Sequence, residues 1–391
     1  MSIEREINNE TIKLLEECET TIKNIGWTLG NDCPYQCTHC YSMSNRIKGA
    51  DLNKPLVDRI INQVSSIGVE TINLGGNEPL FTNGLNPKNS LLPYIIREID
   101  KKSIKVGLTT SGISANYLVK NHLDEFKILN DVDISFDSPF EIEHNENRGS
   151  NIFKDAKKAM YVCKEYDKEH TVVMCAMKWN FSEAHIKALV NLAKTTGANV
   201  RINMLKPTER KHVDIMVTIG QYYAGYELLN SLCDVLDMTD PIVSGASKRE
   251  GSKRCPCGRT SFRINSITPT EEVSISPCVY LHDFKVGDLA KDELKDLINS
   301  PQFKLFRKRN RNPDKIEDCK DCEILEICGG GCAAMAYLYN YHIDNKKSLF
   351  TIDPYCSKEH NMSLPPIKLK QDNSSHLVHM DYLCTWIGRP K

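Results

Sequence analysis

The sequence predicts an α/β protein, a partial (β/α)6 TIM-like barrel followed by a C-terminal cysteine-rich domain. Three observations carry this. Short apolar segments alternate with amphipathic helical segments six times between residues 26 and 210, the alternation fades after Pro207, and cysteines crowd together from Cys255 to Cys356. Strands separated by helices imply a parallel sheet, because parallel neighbours need crossover connections. At roughly 150 residues per domain, a chain of 391 residues accommodates such a division.

Taken in order, residues 1–25 read as a helical lead-in, and Trp27-Thr28-Leu29-Gly30 as a strand running into Cys33. Asn53 caps a helix with Pro55 in its first turn, whose Leu56, Ile60, Ile61, Val64 and Ile67 make one apolar face stopped by Gly68. Strands follow at Val69–Leu74, Ile104–Thr109, Val132–Phe136, Thr171–Met177 and Val200–Leu205. Helices are expected near Leu91–Lys101, Asn116–Phe126, Ile152–Asp167 and Ser182–Gly197. Residues 26–210 thus form the barrel, with function expected at the carboxyl ends of its strands. A helical or linking connection over 211–250 comes next, with Pro241–Lys253 read as an exposed stretch. The cysteine-rich domain covers 251–360, and a polar tail over 361–391 carries a late apolar patch, Tyr382–Ile387.

Composition narrows the function. Fifty Lys and Arg against 51 Asp and Glu remove the electrostatic argument for nucleic-acid or membrane-surface binding, and the basic stretch Lys304–Arg311 reads as a solvated face. The charged start, MSIEREINNETIKLLEE, lacks the apolar core of a secretory signal. No run approaches the roughly 18 apolar residues of a membrane span. A cytoplasmic chain is expected, and there 16 cysteines mean metal or redox use before disulfides.

Cys33-Pro-Tyr-Gln-Cys37-Thr-His-Cys40 puts three thiols in a loop directly after a strand. Two readings are open on the residues alone: a zinc site with His39 as fourth ligand, or a [4Fe–4S] cube with one iron left free. Gly75-Gly76-Asn77-Glu78-Pro79 ends the next strand on the same face of the sheet. Its glycines permit close approach to backbone, and its turn can offer carbonyls and a carboxylate to an ammonium group.

Through these two segments the sequence resembles the radical S-adenosylmethionine (SAM) superfamily. The resemblance implies that Cys33, Cys37 and Cys40 hold a [4Fe–4S] cluster whose free iron is chelated by the amino and carboxylate groups of SAM, with Gly75 to Glu78 holding the amino group. It places Tyr35 and His39 near cluster and adenine. It also puts Thr110, Ser111, Ser135, Asp137 and Asn180 where the family contacts the methionine carboxylate or ribose. The implied chemistry is reductive cleavage of SAM to a 5′-deoxyadenosyl radical that takes hydrogen from a substrate C–H bond.

The second array, Cys319-x2-Cys322-x5-Cys328-x3-Cys332 with Cys356 after it and Cys255-Pro-Cys257 and Cys278 before it, supplies eight thiols. Spacing alone also suits zinc. The array resembles the SPASM extension, which carries two auxiliary [4Fe–4S] clusters. That resemblance assigns Cys319, Cys322, Cys328 and Cys356 to the outer cluster, and Cys278, Cys332 and one or both of Cys255 and Cys257 to the inner one. Val273 stands where the pattern has a glycine, and the first cysteine is doubled. Whether both of that pair bind decides whether the inner cluster is closed or keeps an open iron. Cys18, Cys163, Cys175, Cys233 and Cys384 remain and are read as buried thiols. Of these, Cys384 in the apolar patch is the one to test.

SPASM enzymes mostly oxidise peptides or proteins. A ribosomally made peptide, modified or crosslinked through a thioether or C–C bond, is therefore the expected substrate, and a flavodoxin or ferredoxin the expected electron donor. Few residues precede Trp27, so leader recognition is expected elsewhere or the substrate has no leader. The alternatives are dehydrogenation of a small molecule of aminocyclitol or tetrapyrrole type, formylglycine-type protein maturation, which Val279 after Cys278 disfavours, and a non-catalytic iron–sulfur or zinc scaffold. Asp283 is read as a surface carboxylate.

Overall fold

The computed structural model describes residues 21–42, 48–249, 254–370 and 377–391. Most of the expected helical lead-in, and Cys18, lie outside the described residues. Six strands pair in parallel in chain order: β1 (Asn24–Trp27), β2 (Thr71–Leu74), β3 (Lys105–Thr110), β4 (Asp131–Ser135), β5 (His170–Ala176) and β6 (Asn199–Met204). This is the parallel α/β core that the alternation predicts. The first strand lies earlier than expected, and Thr28 instead passes its N–H to the Ile264 carbonyl at 3.0 Å.

Strand residues alternate between two environments, as a period of two requires. Ile72, Leu74, Val106, Leu108, Val132, Ile134, Val200 and Ile202 are buried in the main hydrophobic core. Asn73, Thr109, Ser135, Arg201 and Asn203 face a cavity on the other side. The helices that cover the apolar face start and stop on local signals. The Asn53 side chain accepts the Leu56 N–H at 3.0 Å to begin the helix Lys54–Ser66, and Ser182 caps the helix Glu183–Thr196, which Gly197 ends at φ +76°.

Four further strands extend the sheet at both edges: β7 (Cys233–Met238), β8 (Ser261–Ile264), β9 (Ile275–Ser276) and β10 (Trp386–Pro390). β8 joins β1 in parallel and carries β9 antiparallel, while β10 runs antiparallel between β6 and β7. The tail therefore packs into the barrel sheet. It also crosses the inner face. Val378 donates its N–H to Asp131 Oδ2 at 3.1 Å, His379 meets the Asp133 carboxylate, and Arg201 Nη1 donates to that same carboxylate at 2.7 Å. Gly107 makes room here, since a Cβ on it would stand 2.9 Å from Val378, and a Cβ on Gly26 would overlap the Tyr382 ring.

Four further expectations change. The segment 116–126 is two helices, Ile113–Asn121 and Leu123–Ile128, broken at His122. An unexpected helix, Glu141–Arg148, precedes Phe153–Glu165. The start of the supposedly exposed stretch at 241 is a buried helix, Pro241–Ala246, held by Asp240, whose carboxylate accepts the Ile242 and Val243 N–H groups. Finally, the basic stretch lies on the helix Pro301–Arg311, where Arg307 and Arg309 are buried and not solvated. Among the described residues no helix is long and apolar enough to cross a membrane.

Candidate active site

The loop carrying Cys33, Cys37 and Cys40 follows β1 and docks on the C-terminal turn of the helix Glu141–Arg148. Gln36 and Thr38 donate their N–H groups to the Arg148 and Asn147 carbonyls at 3.2 and 3.0 Å. Tyr35 is buried and hydrogen-bonds the Ser111 side chain. Backbone N–H groups of Tyr35 and Glu78 point at the Cys33 sulfur, and Arg148 Nη1 approaches Cys37 Sγ at 3.7 Å. Burial pushes the Cys33 thiol up to about 12, so a bound metal's charge is what would hold it as thiolate.

The segment after β2 is cramped by design of its glycines. A Cβ on Gly75 would stand 3.0 Å from the Thr109 Cβ, and Gly76 sits at φ +101° against Thr28. Asn77 donates to the Asp32, Glu78 and Phe81 carbonyls and so folds its own turn. Glu78 is fully engaged by the loop after β3. It accepts the Ser111 N–H and hydroxyl at 2.8 and 2.6 Å, the Ser114 N–H at 3.3 Å, and the hydroxyls of Thr110 and Ser114. Its carboxylate therefore clamps two loops together.

Asp137, after β4, is buried. It pairs with Arg148 Nε at 2.7 Å, accepts from Asn147 Nδ2 at 2.9 Å and lies 3.7 Å from His39 Nε2. Burial alone would raise its pKa, but the charge of Arg148 and the imidazoles of His39 and His144 outweigh it, and the carboxyl sits below its usual range. Asn180 does not reach the cavity. Its side chain is spent on the Asp137 and Cys175 carbonyls at 2.7 and 2.9 Å and on the Met177 N–H at 2.7 Å. Pro79 lies off the cavity wall as well, whereas Cys33, Tyr35, Cys37, His39, Cys40, Gly75, Gly76, Asn77, Glu78, Thr110, Ser111, Ser135 and Asp137 all line it.

The eight thiols of the second array fall into two groups. Cys255 touches Cys257 and Cys332, and Cys257 touches Cys278, all four being buried. Cys319 has Cys322 and Cys356 within electrostatic reach, and Cys328 has Cys356. Donors already face these sulfurs: the Gly330 and Gly331 N–H groups at Cys328, and those of Lys358 and Glu359 at Cys356. Gly329, Gly330 and Gly331 take φ of +60°, +81° and +80°, a run that favours glycine and turns amides toward an anion. The carbonyls of that run are held by Arg309, which donates to Gly330 at 2.6 Å, Gly331 at 3.2 Å and Leu349 at 2.6 Å. Among the described residues no three His, Cys, Asp or Glu side chains are gathered for a single metal ion. A cube brings its own sulfides and needs its thiolates set wider apart. Sulfur donors ringed by N–H groups, with a glycine cradle beside the first loop, fit iron–sulfur clusters and a bound nucleotide.

One cavity of ≈1240 Å³, its open mouth included, joins the first cysteine loop to Val279 and Tyr280 beside Cys278 and to Leu383 beside Cys384. Three cations line it besides Arg148. Arg201 is tied to Asp133, Arg263 Nη1 donates to the Val279 carbonyl at 2.9 Å and stacks 5.4 Å from the Tyr41 ring, and Lys206 Nζ stands 5.7 Å from the Tyr280 ring. Burial opposes the Lys206 charge, but Cys332, Asp240, Cys384 and Asp353 outweigh it and raise its pKa. Sequence reasoning missed these three, together with Asn147, Arg148 and Ser114. The polar positions two apart in β4 and β6 were the available signal for Asp133 and Arg201. Cys175, expected in the core, also lines the cavity, whereas Asp283 is a half-exposed carboxylate 3.4 Å from Lys347 Nζ, as expected.

Comparison with known proteins agrees with this geometry. A radical SAM superfamily model matches residues 27–193, and the SPASM iron–sulfur cluster-binding domain matches residues 255–323. Mycofactocin maturase MftC of Mycobacterium ulcerans is 23% identical over 355 residues, covering 84% of this chain and 86% of that one. A cysteine-type anaerobic sulfatase-maturating enzyme of Clostridium perfringens is 25% identical over 335 residues, covering 77% and 85%. Among solved structures, Streptococcus suis SuiB bound to its precursor peptide SuiA shares the fold with a TM-score of 0.61 at 16% identity, over 89% of this chain and 78% of that one. The enzyme anSMEcpe with bound AdoMet gives 0.64 at 17%, over 86% and 95%. The chain carries a radical SAM domain over residues 27–193 and a SPASM iron–sulfur cluster-binding domain over residues 255–323, the domains of a radical SAM enzyme whose cofactors are S-adenosylmethionine and iron–sulfur clusters.

Proposed function

We propose that the protein is an oxidoreductase that takes a hydrogen atom from a C–H bond of a ribosomally synthesised peptide, leading to a thioether or C–C modification. The observation that carries this reading is the single cavity that runs from the first cysteine loop to the residues flanking the inner cysteine group. A substrate seated there lies between the site of hydrogen removal and an acceptor for the electron that remains. The peptide-modifying relatives support the substrate class.

With cluster and SAM bound, the cofactors would supply a 5′-deoxyadenosyl radical as hydrogen acceptor. Cys33, Cys37 and Cys40 would hold the cluster, and Gly75 to Asn77 would leave backbone free for the amino group of SAM. Glu78, through Thr110, Ser111 and Ser114, keeps the loops after β2 and β3 in register. Arg148 and Asn147 lock Asp137 on the cavity wall. Arg201, Arg263 and Lys206 give the opposite side a positive potential suited to carboxylate or carbonyl groups of a peptide. The tail residues His379 and Tyr382 close the inner face and exclude water, which radical chemistry needs. Cys322 and Cys356 are partly exposed while the inner group is buried, so the outer set is the port for a flavodoxin or ferredoxin.

Peptides deuterated at candidate positions test the reading. Transfer of deuterium into 5′-deoxyadenosine is expected from the substrate peptide. Abundant 5′-deoxyadenosine with no deuterium from any peptide encoded near the gene would instead point to a small-molecule substrate.

A further inference from the structure

The tail delivers a fifth thiol to the inner group. The Cys384 side chain lies in hydrogen-bonding contact with both Cys255 and Cys332 and is buried. Its placement is fixed from both sides. The Thr385 carbonyl accepts the N–H groups of Thr239 and Asp240, each at 3.0 Å, the Thr239 hydroxyl bonds the Leu383 carbonyl, and Trp386 pairs with Ile202 and Met238 across β10. The buried Lys206 acts electrostatically on both Cys332 and Cys384, the charge balance that a thiolate-bound cluster asks for. Cys255 and Cys257 are one proline apart in the chain and adjacent in space, the closest pair in sequence among the inner thiols.

We propose that Cys384 is a ligand of the inner auxiliary cluster, which is therefore closed by Cys278, Cys332, Cys384 and one thiol of the Cys255–Cys257 pair, leaving the other in reserve. This rests on the reading that the C-terminal array holds clusters. No iron corner of that cluster then stays open for a substrate thiol, and the cluster serves as electron acceptor only.

The test uses the full chain with Cys33, Cys37 and Cys40 replaced by Ala, so that only auxiliary clusters form on anaerobic reconstitution. Iron content and EPR spectra are read before and after mild ferricyanide oxidation, which strips iron from a cube with a non-cysteine corner and leaves a [3Fe–4S] signal. The background is expected to hold about eight irons and to show no such signal. Adding Cys384→Ala should produce about one [3Fe–4S] spin per chain. Cys384→Ser should keep the iron and shift the reduced spectrum, and one of Cys255→Ala and Cys257→Ala should leave the spectrum unchanged. Cys163→Ala, a remote buried thiol, is the control for loss of a cysteine as such. Spectra of both Cys384 variants superimposing on the background would overturn the assignment while leaving the cluster reading intact. A background that binds no auxiliary iron would remove the cluster reading and the assignment with it.

Discussion

His144 shows how one residue can report on the helix that supports the site. It is fully buried beside Phe136, at 4.7 Å between ring centroids, and neither ring nitrogen has a hydrogen-bond partner among the described residues. Burial, with the nearby Arg148 charge, lowers its pKa from 6.5 to about 4. An unfolded imidazole takes its proton near 6.5 and the folded one only near 4, so between these values the unfolded state binds more protons. Stability therefore falls as pH drops through that window, by about 3 kcal/mol at its lower end. His144→Leu should flatten this dependence and leave the variant more stable than the parent at pH 5 in urea unfolding. Equal slopes for the two proteins would show that His144 is not the titrating group. Glu78 makes the complementary point, since its carboxylate is saturated by partners within the fold and acts by positioning the loops.

Elements place these residues, and the elements differ in how plainly they were written. The parallel strands and their covering helices follow from local apolar periodicity and caps such as Asn53 and Ser182, and all six core strands appear. The helix Glu141–Arg148 was not legible, because E-I-E-H-N-E-N-R has a single apolar residue to mark a buried face. It nevertheless contributes Asn147 and Arg148. The cysteine sets were legible because ligand spacing is local in sequence. Cys384 could be singled out only as a buried thiol to test, because its neighbours Cys255 and Cys332 lie far away in the chain. Arg309 likewise looked like part of a charged surface run. It is a buried cap on the Gly330 and Gly331 carbonyls. Arg309→Met should cost about 3 kcal/mol through the carbonyls left unpaired and should speed loss of iron from the outer cluster. Unchanged urea midpoint and iron retention would contradict that role.

At the scale of the molecule, the C-terminal residues complete the barrel. β8 and β9 cover one edge of the six-stranded sheet, β10 and β7 cover the other, and Val378, His379 and Tyr382 lie across the inner face. Edge strands left bare would be templates for association. Here they are used to bind the cluster-bearing domain to the barrel, which is why the first cysteine loop and the residues flanking the inner cysteines line one cavity. Pairing of β10 with β6 joins residues far apart in the chain and leaves no local trace, so the sequence alone could not place the tail. The account depends most on Cys33, Cys37 and Cys40 holding a cluster that leaves room for SAM. The direct measurement is 5′-deoxyadenosine released from SAM by the anaerobically reconstituted, dithionite-reduced protein, compared with the chain in which those three cysteines are Ala. Release by the parent and none by the variant is the predicted result; equal release by both would contradict the assignment.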